Sequence, residues 1–279
     1  MRSLLELEAF ATIADNFKAS ATSINQSDSI TLIIPTSPEG AVSSAFLEAA
    51  LLDAEISYHR CFSPRTVNLP SIEVKDGDAL DKPLTQESNQ MVITPLFATG
   101  VRGHEGAAHR GVLSSVAQAA ALAELIAPDG KRLRSLRPWL LAGNWWAGAL
   151  DKGYDPVYSA LRDHLYQEGS IRVVPIPEIE NPDMSGLKQV DLELEASTRE
   201  TWSALDVDGK ANALSTLILP QVLSENPSTA RLEELVWHRI KLSDSDSDLH
   251  TMMVAARAMW DGTPKSSSDL IDAILSKAV

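Results

Sequence analysis

Ser29-Ile-Thr-Leu-Ile-Ile-Pro-Thr-Ser-Pro-Glu-Gly-Ala-Val-Ser-Ser-Ala-Phe-Leu-Glu-Ala-Ala-Leu51 decides how this chain is built. Its opening run is almost continuously apolar and β-branched, the pattern of a parallel strand buried on both faces. From Gly40 the period changes, placing Val42, Ala45, Phe46, Ala49 and Leu52 at helical spacing. Glu55-Ile-Ser-Tyr-His-Arg-Cys-Phe62 then resumes an extended pattern, so strand, helix and strand follow one another as in the βαβ unit of an open α/β sheet.

On the N-terminal side, Leu4, Leu5, Leu7, Phe10 and Ile13 predict a helix over about 3–16, with a polar stretch between it and Ser29. On the other side, strands are expected over 71–75 and 91–97, separated by the loop-rich 76–89, and helices over about 111–127 and 136–150. Asp155-Pro156 supplies an N-cap and a first-turn proline; Val157, Leu161 and Leu165 form one stripe, and Gly169 ends the helix. A strand over 171–175 follows. Pro175-Ile-Pro-Glu-Ile-Glu-Asn-Pro182 then breaks the pattern, and beyond it the spacing is helical over 197–205, 209–224, 228–240, 247–260 and 268–278. The expected architecture is α/β, a mainly parallel sheet with flanking helices over 1–182, followed by a smaller, mostly helical C-terminal domain over 183–279.

A chain of 279 residues suffices for one large or two modest domains. With 44% hydrophobic and 22% charged residues it is neither disordered nor fibrous. Its 24 Lys and Arg against 38 Asp and Glu give a net charge of −14, which offers no overall attraction to phosphate backbones or anionic lipid. No direct nucleic-acid binding and no membrane partner are therefore expected. The single cysteine, Cys61, excludes an intramolecular disulfide and a multi-cysteine zinc site, in keeping with a reducing cytoplasm. Glu6, Glu8 and Asp15 interrupt the apolar N-terminal stretch, unlike a signal peptide, and no run of 18 uncharged apolar residues exists. The expected localisation is cytoplasmic.

Few motifs carry chemistry. His104-Glu-Gly-Ala-Ala-His109 has three residues between its glutamate and second histidine, which is not the helical zinc pattern, and Gly100, Gly103 and Gly106 predict a mobile loop there. Those glycines also lack the spacing, and the following lysine, of a phosphate loop. Asp244-Ser-Asp-Ser-Asp248 opens like a calcium loop, but Leu249 and Ala255 stand where the turn glycine and the bidentate glutamate belong. It reads instead as a solvated first turn of the next helix. Cys61, within a strand, reads as a buried structural thiol. Trp145 and Trp146 are adjacent on a helix and cannot both face one core, so the pair is a candidate partner-binding surface. The alternative is that one packs inside and the other lies against the C-terminal domain.

The segment from Ile30 to Leu51 resembles the opening motif of the DHH phosphoesterase superfamily, the RecJ-like nucleases: an apolar strand, Asp-x-Asp-Gly, then a helix starting roughly Ile-Ser-Ser-Ala. Laid on this sequence, the two aspartates fall at Ser37 and Glu39, with Gly40 and Ser43-Ser44-Ala45 matching. Gly111-Val-Leu-Ser-Ser-Val-Ala-Gln-Ala-Ala-Ala121 is similar to the Ser/Ala-rich helix after the DHH triplet. Leu140-Leu-Ala-Gly-Asn-Trp-Trp-Ala147 is similar to a glycine-bearing helix that ends in a metal-binding aspartate, with Gly143 retained. Further on, Pro175-Ile-Pro-Glu-Ile, Ser203-Ala-Leu-Asp-Val-Asp-Gly209 and Asp248-Leu-His-Thr-Met-Met-Val-Ala-Ala-Arg257 resemble, in order, segments of archaeal RecJ-type proteins. The resemblance covers about 30–260.

What the resemblance implies turns on its departures. DHH enzymes hold two divalent metals with aspartates and histidines, which clamp the attacking and leaving oxygens of a phosphodiester. Ser37 supplies no first carboxylate, and Glu39 keeps a charge one methylene further out. The DHH triplet is replaced at or near Thr94-Pro-Leu96, and the later aspartate by Ala147. Asp76 or Asp78 stands nearest the middle aspartate. The implied protein is an inactive member with degenerate-site positions Ser37, Glu39, Gly40, Thr94 and Ala147, no catalytic residue, no metal and no cofactor. The chain reaches Val279 about where the family's nucleic-acid-binding sheet is expected to begin. Inactive members accompany the replicative helicase in archaea and eukaryotes. The resemblance thus implies a non-catalytic scaffold of the archaeal-type DNA replication machinery that binds the GINS complex and the MCM ring. The alternative is a metal-dependent RecJ-like phosphodiesterase or exonuclease whose ligands are displaced onto Glu39, Asp76, Asp78, His104 and His109.

Overall fold

A computed structural model describes residues 2–63, 70–84, 90–103, 105–185, 191–223, 228–242 and 247–277. The strand at Ser29 is the second from one edge of a four-stranded sheet that is parallel throughout, as the βαβ reading requires. β1 (Ser29–Ile33) leads through α2 (Pro38–Asp53) to β2 (Ser57–Cys61), while β3 (Ser71–Val74) lies on the other side of β1 and β4 (Gln90–Ile93) beyond it. Ile30 pairs with Tyr58, Leu32 with Ile72, and Ile72 with Met91. Apart from Glu39, α2 is buried from Pro38 to Leu51, because it is enclosed by other helices as well as by the sheet it crosses, so its apolar residues run all around it.

The N-terminus differs from expectation. Leu4–Glu6 and Glu8–Phe10 are 3-10 turns, and α1 is Ala14–Asn25, within the stretch that reads as polar. Its buried face is Phe17, Ala21 and Ile24, three residues whose helical spacing is diluted by exposed Ser, Thr and Asn. The expected strand over 91–97 is two elements. β4 ends at Ile93, and after Thr94-Pro95 the chain turns into β5 (Leu96–Arg102), which pairs antiparallel with β6 (Ala108–Leu113). The glycines from Gly100 onward therefore lie in and around a hairpin rather than in a mobile loop; a Cβ on Gly100 would meet the Pro156 carbonyl at about 2.3 Å, so the strand lies directly on the start of α6 (Pro156–Glu168).

Between them come α3 (Ser115–Ile126), α4 (Lys131–Leu136) and α5 (Leu140–Trp146). Asp155 caps α6 by accepting from Val157 N at 2.8 Å and Tyr158 N at 2.9 Å, and Gly169 closes it in the left-handed conformation at φ 82°. Asp155 Oδ2 also accepts from Val112 N, which fixes β6 to the helix start.

Past β7 (Ile171–Pro175) the chain is mostly helical: α7 (Leu192–Thr201), α8 (Val207–Val222), α9 (Thr229–Leu232), α10 (Leu249–Ala258) and α11 (Pro264–Ser276). The expected helix over 228–240 is corrected. α9 passes into a π-helical turn, Glu233–Trp237, and then into β8 (His238–Leu242), which pairs antiparallel with β7. Apolar Leu232, Leu235, Val236 and Ile240 suit a helix by spacing, but Arg239 decides otherwise. It is 1% exposed and donates to Leu235 O, Asp183 O and Asp248, contacts that only the extended backbone brings together. Asp248 is accordingly a fully buried ion-pair partner and N-cap of α10, not a solvated residue, while 243–246 lie outside the described residues.

The later residues are tied to the earlier ones at several places. β8 extends β7, and α11 packs on α2, where Arg60 bridges Glu48 of α2 and Asp272 of α11. One continuous apolar core runs from Leu4 through Trp202 and Leu235 to Ile274.

Candidate functional site: a cleft at the sheet's switch point

In an open parallel sheet, ligands bind beyond the carboxyl ends of the strands where the chain leaves adjacent strands in opposite directions. Here that point lies between β1 and β3, since β1 leads to β2 on one side and β3 to β4 on the other. The segments leaving those two strands carry Ser37 and Glu39 after β1, and Asp76 and Asp78 after β3. They line a cleft of about 530 Å³, closed by Pro95 and Phe97 after β4, by Ser114 to Val116 at the start of α3, and by Gly143 and Ala147 on α5.

Each wall has a local cause. Ser37 caps α2, its Oγ accepting from Gly40 N at 2.9 Å, and Pro38 takes the first helical position, where a missing N–H costs nothing. Gly40 is required because a Cβ there would stand 2.4 Å from Pro35 O. Gly143 is required likewise: its Cβ would lie 2.6 Å from Ser114 Oγ and 2.8 Å from Val116 Cβ, so α5 can approach α3 only without a side chain. Gln118, nearly inaccessible, donates to Thr94 O at 2.6 Å and Leu113 O at 3.1 Å, and Ser115 Oγ donates to Lys75 O at 2.8 Å. These bonds hold α3 to the strand ends and hence fix the width of the cleft.

Burial raises the pKa of Glu39; its own backbone N–H lowers it, the Asp76 carboxylate raises it again, and Arg257 of α10 lowers it slightly. Burial also raises Asp76, partly offset by the Ser37 hydroxyl. The site is thus a carboxylate pair in a largely apolar recess. Among the described residues no group of three or more His, Cys, Asp or Glu is arranged to hold a metal ion.

The degenerate-site positions separate as follows. Glu39 and Ala147 line the cleft, Ser37 and Gly40 shape its rim, and Thr94 is buried just behind it, contributing its carbonyl rather than its side chain. Asp76 and Asp78 belong to the cleft, whereas His109 sits exposed on β6 outside it and His104 lies outside the described residues. Trp145 is buried, its ring 5.5 Å from that of His250 on α10 and 6.4 Å from Tyr158, so it is core and unavailable to a partner; Trp146 is half-buried at the core's edge. Cys61 is only half-buried, at the end of β2.

A second recess of about 620 Å³ adjoins the first, sharing Val112 and Ala147 with it. Asn144 lines it, 1% exposed; its amide nitrogen donates to Val112 O, and its Oδ1 has no hydrogen-bond partner among the described residues. The sequence gives no signal for Asn144 beyond its place after Gly143.

Fold and cleft together define the class: an α/β protein with a parallel sheet and an acidic cleft at its switch point. No protein-family model matches the chain, and no curated protein is significantly similar to it.

Proposed function

We propose that the chain is a degenerate DHH-like protein that serves as a non-catalytic scaffold of an archaeal-type replication complex, binding GINS and the MCM ring. One observation carries the reading. Of the positions that the resemblance assigns to the family's site, Glu39 and Ala147 line one cleft, Ser37 and Gly40 stand at the start of the helix that brings Glu39 to it, and Thr94 gives its carbonyl to Gln118 behind it. Around it the retained features are the backbone-packing residues Gly40 and Gly143 and the charge at Glu39, and the changed ones are those of metal chemistry, Ser37 and Ala147. Shape is kept where ligands are exchanged, which suits a fold used for assembly rather than reaction. The net charge of −14 favours protein partners over bare nucleic acid.

Mixing the full chain with GINS from the same source at micromolar concentration tests this: co-elution is expected, and separate elution overturns it. The three carboxylates at the cleft favour one second reading, a metal-dependent phosphodiesterase. Manganese-dependent release of nucleotides from single-stranded DNA or RNA, abolished by Glu39→Ala, would establish that reading instead.

A further inference from the structure

We infer that α8 is the surface through which two copies of this chain pair, the helices antiparallel about a two-fold axis, an inference that goes beyond the scaffold reading and does not depend on it. α8 sits on the molecule by one narrow stripe. Of its residues only Leu214 and Leu217 are buried, and Lys210 turns inward, its Nζ donating to Pro177 O at 3.1 Å and lying 5.1 Å from the centre of the Trp202 ring. Beside that stripe, Ala211, Ser215, Ile218 and Val222 recur at i, i+4, i+7 and i+11 on one face, with Leu219 and Leu223 along its edge. Leu219 is 53%, Val222 45% and Leu223 75% exposed; Ala211 and Ser215 are exposed too, and Ile218 is half-buried. Single apolar residues on a surface are ordinary, whereas a row of them along one helix face marks an interaction site.

Charge selects the occupant and its orientation. The chain carries −14, so two copies repel unless they meet on a neutral surface. Ala211–Leu223 has no charged side chain. Phe97, exposed on the hairpin, has the Arg110 guanidinium over its ring and so offers no such surface. Asp208, the other charge on α8, lies in its first turn. In an antiparallel pair centred between Ser215 and Ile218, the two copies of Asp208 stand roughly 25 Å apart at the α-helical rise, well beyond the screening length of physiological salt. A parallel pair would bring them together.

Shape supplies the second argument. The face is small in its first half, at Ala211 and Ser215, and large in its second, at Ile218 and Val222. Antiparallel pairing sets Ala211 of each copy against Val222 of the other, and Ser215 against Ile218, so every large side chain meets a small one and the helices approach closely. The face is therefore complementary to itself, a property that docking of an unrelated helix does not require. One helix face falls short of the roughly 800 Å² per partner that a stable interface buries, so the pair is reversible, half-formed at on the order of 10–100 μM.

Sedimentation equilibrium of the full chain from about 1 to about 300 μM tests this. A reversible monomer–dimer equilibrium is expected, undiminished in about 0.5 M NaCl, because salt screens the repulsion and leaves the apolar contact intact. Leu219→Glu/Val222→Glu puts like charges into the contact and should leave the chain monomeric, with thermal unfolding showing that it is still folded. Ser215→Leu makes the face more apolar but fills the space that Ile218 of the other copy needs, so it should weaken the dimer at least about tenfold. Tighter association of Ser215→Leu would mean an unspecific apolar contact and overturns the pairing. A monomer throughout the range, or a dimer that Leu219→Glu/Val222→Glu leaves intact, overturns it as well. So does a monomeric chain that co-elutes with GINS and loses it in the Leu219→Glu/Val222→Glu variant, which would give the face to a different protein.

Discussion

Glu39 illustrates how far a single residue can be read in advance. Its position after Ser37-Pro38 already places it in the first turn of a helix, where the dipole favours a carboxylate. Its partner is not readable, because Asp76 comes beside it only through the order of the strands: β3 pairs with β1, and no local pattern encodes that neighbour. The pairing has a measurable cost. Burial and the Asp76 charge raise the folded-state pKa of Glu39, so the folded protein holds this proton more tightly than the unfolded chain. Stability contributed by the group is therefore fully present below the ordinary carboxylate range and is lost as pH rises through the folded value. Glu39→Gln should raise the melting temperature at pH 7 by about 1–3 °C, a modest figure because the group is partly solvated, and the gain should vanish below about pH 4. Calorimetry at the two pH values checks it; no gain at pH 7 would mean that Arg257 already neutralises the charge. Gly143 gives the opposite sign. Gly143→Ala pushes a methyl into Ser114 and Val116 and should cost about 1–3 kcal/mol by urea titration, whereas an unchanged midpoint would show that α5 can slide.

At the scale of elements, the α/β half is legible because its periods are clean. β1, α2 and α6 need no tertiary information: a β-branched run, a shift to helical spacing, and a capped, glycine-terminated stripe each suffice. β8 is not legible, since its five residues pair with a distant β7 and their short alternation is outweighed by the helical spacing of Leu232, Leu235, Val236 and Ile240. What holds it is a buried polar cluster. Arg239 and Asp248 form its ion pair, Asp183 contributes a carbonyl, and His250 donates from Nε2 to Ser185 O at 2.9 Å while its Nδ1 finds no partner among the described residues. Burial first, and the nearby Arg239 charge second, lower the His250 pKa from 6.5 to about 4, with the bond to Ser185 O and then Asp248 and Asp183 pulling the other way. The unfolded chain then binds a proton that the folded one refuses, so stability falls as pH drops from about 6.5 toward 4. The loss should reach about 2 kcal/mol at pH 5, read by urea titration, and His250→Phe should remove that slope. An unchanged slope in the variant would place the acid sensitivity elsewhere.

For the whole molecule, the Pro175–Pro182 stretch is the most conspicuous break in the sequence, and composition alone makes it a domain boundary. Packing runs across it. β7 lies before the stretch and its pairing partner β8 after it, so cutting there leaves a lone five-residue strand on one side. α2 lies before it and α11 after it; Leu270, Ile271 and Ile274 of α11 are buried, and the fully buried Glu48 of α2 is neutralised by Arg60, which α11 also contacts through Ser268 and Asp272. Trp145 meets His250 across the same divide. Removing 183–279 would uncover apolar surface on α2 and α5 and leave the edge of β7 open, the features that favour aggregation. Fragments 1–182 and 183–279, expressed separately, should each lack a cooperative thermal transition, and mixing or co-expression should restore one near that of the full chain. If 1–182 alone melts cooperatively at the temperature of the intact protein, the contacts across the stretch are incidental, and the cleft at Glu39 and Asp76 is the property of an autonomous α/β domain.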